Sequence, residues 1–65
     1  MNDVEIELRA EIRELALTMV RFERWASEAA ERGKFGRVAE CVSQRDLAQA
    51  RRSNLLRELW MREQT

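Results

Sequence analysis

The sequence predicts an all-α protein, a two-helix antiparallel hairpin that we expect to dimerise into a four-helix bundle. Three observations predict it: the 65 residues include no proline, the two glycines stand close together near the middle, and apolar residues recur at helical spacing. The length allows one small domain. We therefore predict a single hairpin over 1–65, with a first helix over residues 3–31, a loop over 32–36 and a second helix over 37–63.

The first helix has a recognisable start and end. Asn2 is suited to the N-cap position and Glu5 follows three residues later, which is a variant of the capping box. Gly33 follows the last periodic residue, where glycine commonly ends a helix. Apolar residues between these signals recur in alternating steps of four and three, as in a coiled-coil seam. They are Leu8, Ile12, Leu15, Met19, Phe22, Ala26 and Ala29.

The second helix has a less regular seam. Its apolar positions are Val38, Cys41 or Val42, Ala48, Leu55, Leu56 and Leu59, with Trp60 at the edge. Arg45 and Arg52 fall on the same line, and we expect their aliphatic stems to lie along the seam. Their guanidinium groups would then reach Glu11 or Glu14, and Glu23, on the first helix. Whether this helix is broken near Ser43, where a second capping-box pattern begins, stays open.

Folding the two helices together predicts the core and the end of the hairpin. Large apolar residues meet at the open end and small ones meet near the loop, where we expect Phe35 to cover the end of the bundle. The predicted core residues are Leu8, Ile12, Leu15, Met19, Phe22, Leu55, Leu56 and Leu59.

A lone hairpin leaves apolar residues uncovered. The first helix carries a second apolar line away from its seam, interrupted by Arg13, and two helices cannot cover both faces. A chain this short with one cysteine has no disulfide to stabilise it, so association is the expected remedy. The predicted association surface is Ile6, Leu17, Val20, Trp25 and Trp60. The partner is a second copy, giving a homodimer, or another helical protein; the packing of the hairpins stays open.

Charge is unevenly distributed although the net charge is zero. Residues 1–31 carry eight acids and four bases, and residues 32–65 carry eight bases and four acids. Two such halves attract each other when folded together. Alternatively, the basic half contacts nucleic acid or an acidic partner. The residues expected to make such contacts are Arg45, Arg51, Arg52 and Arg57.

The composition argues against catalysis and against bound metals. The chain has no histidine, which removes the usual general base near neutral pH, and its single Cys41 leaves no ordinary zinc site. We expect no enzyme activity and no cofactor. No apolar run is long enough to span a membrane, the start lacks a secretory signal, and the lone thiol fits the cytoplasm.

The expected function is that of a small non-enzymatic protein-interaction or regulatory module. It would act as a self-associating helical hairpin, with its dimer resembling a short coiled coil in its seam packing. Two alternatives stay open. One is RNA binding through the arginine-rich second helix, and the other is a co-chaperone-like hairpin bound to a different protein chain.

Overall fold

The structure, a computed structural model, describes residues 2–64 and shows two helices packed against each other as an antiparallel hairpin. Helix α1 spans Asp3–Glu31 and helix α2 spans Phe35–Glu63, each of 29 residues. The predicted all-helical hairpin is confirmed. It is a rod of 50 × 14 × 11 Å, as expected because 29 helical residues measure about 43 Å along the axis.

The start of α1 is capped as predicted. Asn2 has extended backbone angles, and its side-chain Oδ1 accepts a hydrogen bond of 2.9 Å from the backbone N–H of Glu5. Asp3 and Glu5 add negative charge in the first turn, where the helix dipole is positive. These contacts explain why α1 begins where the sequence indicates.

The end of α1 is a Schellman motif around Gly33. The backbone N–H of Lys34 donates to the carbonyl of Ala29 at 2.9 Å, and the N–H of Gly33 donates to the carbonyl of Ala30 at 3.0 Å. Gly33 has φ +71°, in the left-handed region that side chains beyond glycine disfavour. This residue therefore turns the chain out of α1 and towards α2.

Helix α2 starts two residues earlier than the sequence analysis places it. Lys34 occupies the N-cap position, and the N–H groups of Arg37 and Val38 donate to its carbonyl at 3.1 Å. The connection is thus Arg32–Lys34, because Gly33 alone supplies the reversal and Gly36 is free to join the helix. Phe35, in the first turn, is 72% exposed and does not cover the end of the hairpin.

The two glycines should respond oppositely to alanine. Gly33→Ala is expected to lower the free energy of unfolding by about 1 kcal/mol, because alanine must adopt the positive φ of the turn. Gly36→Ala is the matched control and should raise it by about 0.5–1 kcal/mol, since Gly36 is helical and a Cβ there meets no atom within 4 Å. Urea denaturation measures both; equal effects would contradict the role given to Gly33.

The tightest packing lies towards the open end of the hairpin. Leu8 and Ile12 of α1 form one buried cluster with Leu55 and Leu59 of α2, and the half-buried Leu15 packs against it. Smaller side chains are buried towards the loop, as expected from their sizes. They are Ala29, Cys41 and Ala48.

Three residues predicted for the core, Met19, Phe22 and Leu56, are not buried. Leu56 is 39% exposed and lies outside the core, because Leu55 and Leu56 point about 100° apart and only Leu55 continues the seam. Met19 and Phe22 lie at the helix interface but are only half buried.

Helix α2 continues through Ser43 without a break, so the capping-box pattern there does not start a new helix.

Candidate functional site

Two ion pairs between the helices mark opposite sides of the hairpin. Arg9 pairs with Glu63, and Glu11 accepts hydrogen bonds from the Arg51 guanidinium, at 2.9 Å from its Nε. Arg9 and Glu11 are two residues apart, which separates them by about 200° around α1. The two pairs therefore flank the seam, one on each side.

On α2, the side of the Arg9–Glu63 pair is apolar. Residues seven apart lie on one helix face, and Leu56 and Val42 lie seven and twenty-one positions before Glu63. Trp60, three positions before Glu63, lies beside them. Phe35 continues the line seven residues before Val42.

On α1, the same side carries further apolar residues. Ala16 lies seven positions after Arg9, Ile6 lies three before Arg9, and Val20 lies four after Ala16. We call the exposed apolar residues of this side the apolar face. The apolar face consists of Ile6, Val20, Phe35, Val42, Leu56 and Trp60.

The apolar face is largely open to solvent in the single hairpin. Val20, Ile6 and Trp60 are 56%, 52% and 60% exposed. Both helices contribute to the apolar face, and its six residues are spread along the rod, with Gln49 between Val42 and Leu56 and Arg13 between Ile6 and Val20.

The other side of the hairpin, marked by Glu11 and Arg51, is mostly polar. The positions seven residues from these two are Val4, Thr18, Gln44 and Glu58, and only Val4 among them is apolar. Trp25 also belongs to this side, fourteen residues after Glu11, and its ring meets that of Phe22 edge-on at 5.3 Å.

A cleft of about 850 Å³ opens beside Trp25 at the loop end. Its lining combines the rings of Phe22 and Trp25 with the cations Arg32, Lys34 and Arg37 and the acids Glu28 and Glu40. Within residues 2–64, no ion pair involves these three cations. The cleft is therefore partly aromatic and lined by charges of both signs, with the cations in excess, and it is distinct from the apolar face.

The structure separates the residues predicted as an association surface. All five are exposed in the hairpin, but only Ile6, Val20 and Trp60 share the apolar face. Leu17, eleven residues after Ile6 and three before Val20, borders the apolar face on α1, and Trp25 lies beside the cleft. Sequence reasoning missed Val42 and Leu56 because it assigned Leu56 to the seam and left Val42 as an alternative to Cys41 there. Their spacing from Glu63, in multiples of seven residues, is the signal that places them.

The arginines predicted to contact nucleic acid or an acidic partner lie in different environments. Arg51 is bound to Glu11, and Arg45 lies 3.5 Å from Glu23 and 2.8 Å from Asp46. The expected contact of Arg45 with Glu23 is thus confirmed. Arg57 borders a shallow second cleft, beside Asn54, Glu58, Met61 and Arg62.

Arg45 and Arg52 both lie partly in the seam. The Nε atoms of the two are buried without a hydrogen-bond partner in the described chain, so their stems occupy apolar surroundings. The hydrogen bond to Asp46 and the charge of Asp46 raise the pKa of Arg45 above its ordinary value, and Glu23 adds to this against the effect of burial. Within residues 2–64, Arg52 makes no ion pair with either acid expected for it, Glu11 or Glu14, and Arg51 holds the carboxylate of Glu11.

Other chemistry in the described chain is sparse. Cys41 is a free thiol and is buried in the helix interface. Residues 2–64 contain no group of three acidic, cysteine or histidine side chains that could hold a metal ion. Neither helix is both long and apolar enough over these residues to cross a bilayer.

Comparisons of the chain with protein-family models, curated proteins and solved structures found no match. The two surfaces described above are therefore the candidates for function. Of these, the apolar face draws residues from both helices.

Proposed function

We propose that this protein is a small non-enzymatic interaction module that works as a self-associated helical hairpin. Two copies close into a four-helix bundle, and the assembled dimer acts on another protein as a regulator. The observation that carries this proposal is the exposed apolar face. We also propose a cytoplasmic location, in keeping with the single buried thiol of Cys41.

The surface area of the hairpin supports association. It exposes 5137 Å², whereas a compact monomer of its 7.7 kDa mass exposes about 4300 Å². The excess is about 800 Å², close to the share that each partner contributes to a standard protein interface. One additional copy of the chain could therefore cover the excess.

The incomplete burial of side chains and the elongated shape of the hairpin support the same proposal. Among residues 2–64, no side chain is less than 2% exposed. The Cα radius of gyration is 14.9 Å, against about 11 Å for a compact domain of this length. A two-helix rod cannot fully bury a side chain, and a second rod packed on its apolar face would increase the burial.

The RNA alternative has support from another surface. Of the four arginines expected to contact phosphate, Arg45 and Arg51 are occupied by acidic side chains. The cations of the cleft, Arg32, Lys34 and Arg37, are the better candidates. Binding of a labelled RNA that weakens steeply with added salt, and that is lost in Lys34→Glu, would favour this alternative.

Solution mass tests the main proposal. Light scattering after size exclusion at micromolar concentration should give about twice the 7.7 kDa chain mass. A concentration-dependent decrease towards the single-chain mass on dilution would give the dissociation constant. A single-chain mass at all concentrations would contradict self-association and would favour a different protein chain as the partner.

A further inference from the structure

We propose that the second copy docks on the apolar face in the opposite direction, so that the loop of each hairpin lies beside the termini of the other. Helix α1 then packs against α1 of the second copy, and α2 packs against α2. This inference rests on the self-association proposed above and adds the orientation of the two copies. Its basis is the distribution of apolar and charged side chains along the two helices.

The symmetry axis of the dimer sets which residues meet. Dimers of identical chains are usually twofold symmetric, and full overlap of two rods places the axis at their middle. The middle residue of α2 is Gln49. Averaged together, the three ion pairs between the helices place Thr18, one residue past the middle of α1, level with Gln49. Reversing one copy about this axis therefore pairs residues that lie equally far on either side of Gln49 or Thr18.

Apolar side chains on α2 meet one another in this orientation. Leu56 and Val42 lie seven residues on either side of Gln49, so each meets the other in the second copy. Trp60 lies eleven residues after Gln49 and meets the half-buried Val38, which lies eleven before it. Both contacts remove apolar surface from water.

Charge on α1 is complementary in the same way. Arg13 and Glu23 lie five residues on either side of Thr18, so reversal brings Arg13 to Glu23 of the second copy at two symmetric places. Within residues 2–64, Arg13 has no ion pair. Its neighbours three and four positions away on α1 include no acid.

Arg13, which interrupts the apolar line of α1, thereby has an acidic partner in the dimer. Docking with both loops at the same end would instead place α1 against α2 of the second copy. With Thr18 again level with Gln49, Arg13 would then lie level with Asn54, and Val20 would lie level with Leu47, which is outside the apolar face. That arrangement gives Arg13 no acidic partner in the second copy.

Engineered cysteines distinguish the two orientations. In a Cys41→Ala background, we expect Gln49→Cys to form a disulfide-linked dimer under mild oxidation, because residue 49 meets its own copy at the axis. With both loops at one end, Gln49 residues would lie diagonally across the bundle, beyond the reach of a disulfide. That orientation would instead link Ser27→Cys of one copy to Ala39→Cys of another when the two variants are mixed.

A charge variant tests the role of Arg13 separately. Arg13→Glu should raise the dimer dissociation constant about tenfold or more, because it sets two acids together at each symmetric contact. Arg21→Glu is the matched control. Arg21 is also exposed on α1 and also lacks an acid three or four positions away, but it lies outside the apolar face. The dimer dissociation constant of Arg21→Glu should therefore differ from that of the unchanged protein by less than about twofold.

The outcomes separate this inference from the proposed function. A dimer in which Gln49→Cys links to itself, and in which Arg13→Glu weakens association, is the result expected. A dimer that links only Ser27→Cys to Ala39→Cys overturns the orientation and keeps self-association. A dimeric Gln49→Cys variant that stays unlinked also overturns the orientation, and a single-chain mass overturns both proposals.

Discussion

Replacing Leu55 with alanine is expected to lower the free energy of unfolding by about 2–4 kcal/mol. Leu55 is one of four residues in the only large buried cluster of residues 2–64, with Leu8, Ile12 and Leu59. Removing its side chain leaves a cavity where the two helices depend on a few contacts. Because small domains have little stability to lose, the variant should be largely unfolded at low protein concentration.

The control for Leu55→Ala is Leu47→Ala on the same helix. Leu47 is 65% exposed and lies outside the apolar face, so its replacement should change the unfolding free energy by less than about 0.5 kcal/mol. Urea denaturation followed by circular dichroism measures both variants. Equal destabilisation by the two substitutions would show that the core is not where the structure places it.

The double substitution Val20→Glu and Leu56→Glu is expected to dissociate the dimer. The two residues are 56% and 39% exposed in the single hairpin, so glutamate at either position stays hydrated there and the helices persist. In the dimer, the same four carboxylates would be placed in an apolar contact without partners. The dissociation constant should rise at least about a hundredfold.

A matched double variant separates this effect from added charge. Val4→Glu and Leu47→Glu also replace one valine of α1 and one leucine of α2, both exposed, with glutamate. Val4 lies seven residues before Glu11 and therefore on the polar side. Light scattering should give a dimer for this control and a single chain for Val20→Glu with Leu56→Glu. If both stay dimeric, the apolar face is not the interface.

The pairing of charges across the hairpin was partly readable from the sequence. The excess of acids in the first half and bases in the second predicts attraction between the helices, and Arg45 does contact Glu23. Which arginine reaches Glu11 was not readable, because Arg51 and Arg52 are neighbours pointing about 100° apart. Their assignment depends on the rotation of α2 about its own axis, which only packing determines.

Local sequence signals predict the two helices, their capped start at Asn2 and the reversal at Gly33. These features depend on local backbone chemistry, namely an amide oxygen within reach of a free N–H and a residue that tolerates positive φ. Helix spacing of apolar residues also determined the seam of α1, since that seam is regular. Local rules suffice wherever the interacting groups lie within a few residues of each other.

Packing against α1 sets which face of α2 turns inward. The run Leu55-Leu56 and the choice between Cys41 and Val42 are each compatible with two rotations of the helix about its axis. Contact with Leu8 and Ile12 buries Leu55 and Leu59, and this rotation turns Leu56, Val42 and Trp60 outward. The apolar face therefore results from packing between residues more than forty positions apart, which no local pattern records.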